Sequence, residues 1–327
     1  MMQLHTTTNL EKMATPPRDL AELADRGLAL RAVVLLSGQV RSTDLTQKLR
    51  RNVLDLPIDQ DLTVLDLWQQ EAALLAKALA GDELPLRVMV NRQGLRPTAR
   101  GERPGVVVSV ETDADDYRGT GGVLRDVAQE YGPDDYVLVV NGGQVPVQPL
   151  AAMAAALVRA GGDVRLLVSD DGTPTGVMLV RCGAVRSLPA VGFLDMKEQA
   201  LPRIAADHKV TVVVSNRIVA LPIRTRADYL RALFWHHRSL KAQRGGDEPF
   251  AERWQCTFSV VEKGAEVEQG ARVHDSVVLA GARLEAGATL VHSVACSEGV
   301  VAANKTVIDE VVGLNGNGNG NGSKGAR

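Results

Sequence analysis

The sequence predicts an α/β domain built on a mostly parallel sheet, followed by a short parallel β-helix. Two observations carry this reading. Short, near-continuous apolar runs alternate with amphipathic helical stretches from Ala32 to about Leu240. Beyond the charged segment Lys241 to Arg253 that pattern gives way to a period of six. With 327 residues, 45% of them hydrophobic, the chain has material for about two domains. Only 3% are aromatic, so the core is built from Val, Leu, Ile and Ala, which argues against aromatic stacking as the main binding device.

Residues 1–29 carry Thr6-Thr7-Thr8, Pro16-Pro17 and a short amphipathic stretch at Leu20 to Leu23, and read as a loosely attached arm. The apolar runs are Ala32 to Leu36, Leu86 to Val90, Val106 to Val110, Tyr136 to Val140, Val164 to Val168, Gly176 to Val180 and Val210 to Val214. Each is bounded by Gly, Pro, Asp or Asn, as expected of strands buried on both faces of a sheet. Between them, Thr63 to Ala80 places Val64, Leu65, Trp68, Ala72, Leu75 and Leu79 on one helical face. Gly122 to Glu130, Pro149 to Ala160 and Arg226 to Arg238 follow the same logic. Pro149 suits a first helical turn and Gly161-Gly162 a stop. Alternating strands and helices of this size imply βαβ units. The α/β domain is therefore placed at 30–240 and a charged linker at 241–256.

From 257 to 312 the small aliphatics Val261, Val267, Val273 and Leu279 are six apart. Val278, Leu284, Leu290, Cys296, Ala302 and Ile308 continue at six after a one-residue phase shift, with glycines on another phase. One inward aliphatic per six residues, with Gly-Ala at the corner, is the pattern of a parallel β-helix; hairpins would alternate with period two. Residues 313–327 hold an Asn-Gly repeat that cannot bury a core, and are expected to be a disordered tail.

Charge and cysteine content exclude several classes of function. Lys plus Arg total 37 against 39 Asp plus Glu, a net charge of -2, so no global basic field recruits nucleic acid or an anionic membrane. No apolar run reaches the roughly 20 residues of a membrane span. The polar N-terminus has no hydrophobic signal core, and a cytoplasmic location is expected. Cys182, Cys256 and Cys296 form no CxxC pair, which removes disulfide-scaffold and zinc-ribbon readings.

In α/β sheets, ligands bind at the carboxyl ends of the strands where strand order reverses. Three loops there are candidates. Ser37-Gly38-Gln39-Val40-Arg41 is a small loop after the first strand, able to bring backbone N–H groups to a phosphate or base. Gly119-Thr120-Gly121-Gly122 opens a helix, with N–H donors to offer an anionic or base-edge ligand. Asn141-Gly142-Gly143 ends the strand at 136–140.

In this order and spacing, the segments resemble the sugar-phosphate nucleotidyltransferase (NDP-sugar pyrophosphorylase) family. A Gly-rich first loop, a later Gly-Thr-(Ala/Gly)-Gly turn, a strand ending in Asn-Gly-Asp and a C-terminal left-handed β-helix follow one another in that family. Phe193 to Pro202 resembles a family segment ending in Leu-Pro, and Arg224 to Leu230 resembles Gly-Thr-Pro-Glu-Asp-Tyr-Leu. The resemblance spans about residues 31–310 and implies a Rossmann-like domain followed by a left-handed hexapeptide-repeat β-helix. It further implies nucleotide binding by Ser37, Gly38, Gln39 and Gly119 to Gly122, substrate contacts from Asn141 and Gly142, and phosphate clamps at Arg41 and Arg51. The implied ligand is a nucleotide or sugar phosphate, with Mg²⁺ if the protein is active.

The departures concern chemistry. The family reaction joins a sugar 1-phosphate oxygen to the α-phosphorus of a nucleoside triphosphate and expels pyrophosphate, with Mg²⁺ held by two carboxylates. At those two positions this chain has Gly143 and Pro222. The expectation is a divergent member that binds nucleotide or nucleotide-sugar without the family chemistry. The alternative is an active enzyme using other carboxylates, for which Glu111, Asp113, Asp115 and Asp116 are candidates, although a solvated acidic loop explains them as well. A more distant alternative, a hexapeptide acyltransferase, would use His274 or His292. His236 and His237 diverge by about 100° around a helix and do not form a metal pair; they read as surface histidines near a helix C-terminus. A short β-helix with an open end points to homo-oligomerisation through it.

Overall fold

The computed structural model describes residues 8–9, 29–37, 43–79, 83–98, 101–113, 118–243 and 258–313. These divide into two compact units. The larger runs to Arg224 without 47–49 and 57–61, and the smaller takes those two pieces and everything from Thr225. The division thus falls before the helix that starts at Arg226, not after it as the change in composition suggests. That helix packs within the smaller unit: the Tyr229 hydroxyl donates to Pro57 O, and His237 Nε2 lies 2.9 Å from Ile58 O.

The larger unit is a mixed α/β fold around one large, mostly parallel sheet. Its strands are β1 (Thr8–Asn9), β2 (Leu30–Ser37), β3 (Leu84–Val90), β4 (Val106–Thr112), β5 (Tyr136–Asn141), β6 (Val164–Ser169), β7 (Pro174–Arg181) and β8 (Val210–Ser215). Their spatial order is β1-β8-β6-β7-β5-β2-β3-β4. Seven run in one direction; β7 is antiparallel to both β5 and β6. The run Gly176 to Val180 is therefore not a parallel strand. The turn at Asp170-Asp171-Gly172 makes β6 and β7 a hairpin, with Gly172 N bonded to Ser169 O at 2.9 Å. An inner antiparallel strand is as apolar as its parallel neighbours, so composition does not reveal its direction. β1, inside the expected arm, pairs in parallel with β8 and forms that edge of the sheet.

Helices cover both faces. The first face carries α1 (Val64–Ala78) and α2 (Leu150–Ala160). α1 begins with a capping box: Thr63 Oγ1 accepts from Asp66 N, and Asp66 Oδ2 accepts from Thr63 N at 2.8 Å, an arrangement worth about 1 kcal/mol. α2 starts after Pro149, and its first N–H, on Leu150, donates to half-buried Glu71 of α1 at 2.7 Å. On the second face, α3 (Gly119–Ala128) and α4 (Cys182–Arg186) pack Leu124, Val127, Ala184 and Val185 onto Ala32, Val34, Val137 and Val139 of the sheet.

In the smaller unit, strands from Ser259 to Val312 form three parallel sheets of four, three and three strands. Each strand pairs with the one seventeen residues further on, as in Ser259↔Ser276, Val277↔Val294 and Val294↔Val311. This arrangement is compatible with a β-helix, but the repeat is seventeen rather than eighteen. The buried column runs through Val278, Leu284, Leu290, Ala295, Val301, Val307 and Val312, at intervals of six, six and five. A strict period of six drifts off this column, so Ala302 and Ile308 are exposed, and Cys296 is buried beside the column rather than in it. Left-handed residues recur at the same interval: Gly264, Gly281 and Glu298; Gly270, Gly287 and Asn304; Asp275, His292 and Asp309. Asn, Asp and His adopt that conformation more readily than other non-glycine residues, so only some of these corners appear as glycines in the sequence.

Candidate functional site

The order of the main sheet locates the site. From β2 the chain moves outward through β3 to β4, then returns to place β5 on the other side of β2. Strand order therefore reverses between β2 and β5, and the region outside their carboxyl ends is where open α/β sheets bind ligands. The register pairs Leu36 with Asn141, and Gly142 N donates to Leu36 O at 2.8 Å. Ser37, Asn141 and Gly142, three of the residues selected from sequence, are thus brought together. Gly38, Gln39 and Arg41 lie outside the described residues.

Sequence reasoning missed the groups that hold this junction. Asn52 is buried and joins three segments. Its Oδ1 accepts from Ser37 Oγ at 3.0 Å and from Leu54 N at 2.9 Å, while its Nδ2 donates to Leu95 O at 2.6 Å. Arg51 is its half-buried neighbour. Trp68 Nε1 donates to Gly142 O at 3.3 Å and Gln144 O at 3.1 Å, fixing the backbone under the site from α1. A side chain at Gly142 would meet Leu35 Cγ at 3.0 Å and Leu54 Cδ2 at 3.2 Å, so close packing requires that glycine. Gly176 sits at a register break in β7 with φ of 79°, and a Cβ there would lie 2.7 Å from Asn141 Cβ. That bulge makes room for the Asn141 side chain, whose Oδ1 accepts from Gly143 N at 3.0 Å.

The glycine turn is committed differently. Gly121 N donates to Leu194 O at 2.9 Å, Leu194 N donates to Arg118 O at 2.9 Å, and Thr120 Oγ1 accepts from Met196 N at 3.3 Å. A Cβ at Gly119 would lie 2.5 Å from Leu194 O, and one at Gly121 would lie 2.9 Å from the same atom. These two glycines admit the backbone of 194–200, and the Gly121 N–H is not free to bind an anion. Arg118 and Arg125 also bind this region, donating to Ala190 O at 2.6 Å and Leu188 O at 2.9 Å.

The two positions without carboxylates, Gly143 and Pro222, meet at the same junction. The short strands Gln144–Pro146 and Ala220–Pro222 pair antiparallel with Pro222 opposite Gln144, and Ile223 N donates to Gly143 O at 2.9 Å. Neither residue can ligate a metal through its side chain. Glu111 is engaged elsewhere, in a bidentate pair with Arg87 and a hydrogen bond from Ser109. Burial raises its carboxyl, but hydrogen bonds from Arg87 and Ser109 outweigh this and hold it below the usual range. Asp113 is anchored by its own N–H to Val90 O at 2.9 Å, and Asp115 and Asp116 lie outside the described residues. Among the described residues, no group of three His, Cys, Asp or Glu is arranged to hold a metal ion. The residues present here do not fit a divalent cation held in the family manner.

The histidines lie in the smaller unit. His236 and His237 fall within a helix that continues to Gln243, so they are not at its end. His237 stacks on Phe258. Burial, with His237 close by, pushes the His236 imidazole down to about 4. His292 occupies a left-handed corner with Nε2 3.8 Å from Asp275, and His274 is exposed on a strand.

No family model and no curated protein matches the chain. Among solved structures, the chain is similar to the crystal structure of the Mycobacterium tuberculosis rv0371c homolog from mycobacterium sp. strain JC1. The TM-score is 0.41 at 18% identity, over 62% of this chain and 96% of that one. No helix among the described residues is long and apolar enough to cross a membrane.

Proposed function

We propose that this protein is a divergent sugar-phosphate nucleotidyltransferase-like protein that binds a nucleotide or nucleotide-sugar at the carboxyl edge between β2 and β5, without the family's metal-assisted transfer. The observation that carries this reading is the meeting of Gly143 and Pro222 beside Asn141-Gly142. The resemblance assigns the two metal carboxylates to these positions, which are far apart in sequence. Their closeness at the strand-order reversal supports that assignment, and their side chains remove the metal chemistry. A bound metal's Lewis-acid contribution is worth several kcal/mol of transition-state stabilisation, so losing both ligands removes most of the catalytic device while leaving the crevice. On this reading the smaller unit is a short left-handed parallel β-helix with seventeen-residue turns, available for self-association, and the protein works in the cytoplasm.

Two measurements on the full chain test the proposal. Calorimetric titration with nucleoside triphosphates and nucleotide-sugars is expected to show binding. A pyrophosphate-release assay with a panel of nucleoside triphosphates, sugar 1-phosphates and Mg²⁺ is expected to show no turnover. Turnover would establish the active alternative, and failure to bind any of these ligands would remove the nucleotide reading altogether.

A further inference from the structure

We infer that the larger unit binds a small monovalent anion at the amino end of its sheet, between the buried side chains of Arg165 and Thr211. This site is independent of the proposed nucleotide site, because it lies at the opposite end of the strands from Asn141 and Gly142. Arg165 is the second residue of β6 and Thr211 the second of β8, and the parallel register pairs them directly. Their predecessors Val164 and Val210 pack into the core of the face that carries α3 and α4. Successive side chains alternate along a strand, so Arg165 and Thr211 point to the other face, under α2. Arg165 is 4% exposed and Thr211 2%. Both converge on Gly162, which follows the end of α2. Arg165 Nε donates to Gly162 O at 2.9 Å. Gly162 has φ of 118°, and a Cβ there would lie 2.7 Å from Thr211 Oγ1.

Donors outnumber acceptors in this cluster. Besides the bond to Gly162 O, the Arg165 guanidinium donates from Nη2 to Tyr136 Oη at 3.3 Å, with Cζ 4.9 Å from the centre of the Tyr136 ring. Arg165 Nη1 and Thr211 Oγ1 are both buried without a hydrogen-bond partner. Guanidinium has no acceptor, and the Thr211 and Tyr136 hydroxyls each keep a hydrogen to donate. Nor does a carboxylate pair with the charge. Asp163 acts on Arg165 only through space. Its oxygens are committed to Arg181 Nε and Lys209 N, each at 2.8 Å, with His208 Nδ1 at 3.8 Å. Burial outweighs the help of Tyr136 and Asp163 and pulls the guanidinium below its ordinary range. A buried cation without a counter-charge, and buried donors without acceptors, are both unfavourable. An anion relieves both at once, whereas a water molecule supplies hydrogen bonds but no charge. A single guanidinium matches a single negative charge, so the ligand is a halide or the carboxylate of a very small acid.

The test is thermal melting of the full-length protein titrated with sodium chloride at constant ionic strength, with bulky gluconate as the balancing anion. A second arm uses sodium formate and separates a carboxylate from a halide. One of the two is expected to raise the midpoint saturably. At a hundredfold excess over Kd the folding equilibrium constant rises about a hundredfold, which for a unit of this size lifts the midpoint by about 5–10 °C. Thr211→Val keeps the shape of the side chain and removes one donor, and is expected to weaken the anion about tenfold. Arg165→Met should abolish the response. Bromide soaked into crystals should give an anomalous peak between Arg165 Nη1 and Thr211 Oγ1. If Arg165→Met does not fold, Thr211→Val and the bromide peak still decide. A midpoint indifferent to both chloride and formate would overturn the inference and leave water as the partner of these donors. A full response retained by Thr211→Val, or bromide peaks elsewhere only, would assign the effect to other sites and overturn it too.

Discussion

Replacing Gly119 with alanine separates the two roles open to the glycine turn, ligand loop or packing joint. Gly119 has φ of 67°, and a Cβ there would lie 2.5 Å from Leu194 O and 2.8 Å from Leu194 C, both backbone atoms that cannot rotate away. Two costs therefore add. The left-handed conformation costs an alanine about 1–2 kcal/mol. Displacing the 194–200 backbone adds about 1–3 kcal/mol, the usual range for overpacking. Gly172 is the matched control: its φ is 81° and a Cβ there meets nothing within 4 Å. Gly172→Ala should thus show the conformational cost alone, while Gly119→Ala should cost about 2–5 kcal/mol. Urea unfolding followed by circular dichroism reads both variants, with thermal melting as a second measure. For a unit of this size, each kcal/mol lowers the midpoint by about 2–4 °C. If Gly119→Ala costs no more than Gly172→Ala, Leu194 does not press on the turn, and the packing account of these glycines is wrong.

Three further outcomes are expected. Trp68→Phe removes the donor shared by the Gly142 and Gln144 carbonyls; it should destabilise the fold by about 1–3 kcal/mol in urea, and an unchanged midpoint would show that those carbonyls need no donor. His236 titrates at about 4 when folded and near 6.5 when unfolded. The unfolded chain thus binds more protons between those values, and stability should fall as pH drops from 6.5 towards 4. His236→Phe should flatten that slope in pH-dependent thermal melts; an identical slope would assign it to other groups. Gly143→Asp introduces a Cβ that meets Asn141 Oδ1 at 3.5 Å and Val53 Cγ1 at 3.8 Å, which are ordinary contacts. It should fold with a loss of under about 1 kcal/mol, and combining it with Pro222→Asp should make nucleotide affinity rise with Mg²⁺. Affinity indifferent to Mg²⁺ in that double variant would contradict the placement of the two positions.

Much of the architecture was legible because burial imposes local patterns. Strands covered on both faces must be apolar throughout, which marked the runs at 32–36, 136–140 and 164–168 as strands of the sheet. The helical face of Trp68, Ala72 and Leu75 is likewise a property of one short segment. Errors came where two structures share one local pattern. The direction of β7 leaves no mark on its composition. The seventeen-residue repeat differs from three sixes by one residue per turn, and its left-handed corners are filled by Asp, His, Glu and Asn as well as glycine. The same ambiguity affected Gly119 and Gly121, because a glycine needed for close backbone approach reads like a glycine needed for a ligand.

By itself, the sequence determined the alternation of strands and helices, the change to a repeat after the charged segment, and the non-ligating side chains at Gly143 and Pro222. These properties belong to single residues or to neighbours along the chain. Only the tertiary structure decided that Gly143 and Pro222 meet, that Asn52 joins β2 to the loop carrying Arg92, and that Gly176 yields space to Asn141. Each of these contacts joins segments remote in sequence, and each depends on the order in which the strands lie. That order is set by how the whole set of apolar faces packs, and no local run of residues encodes it.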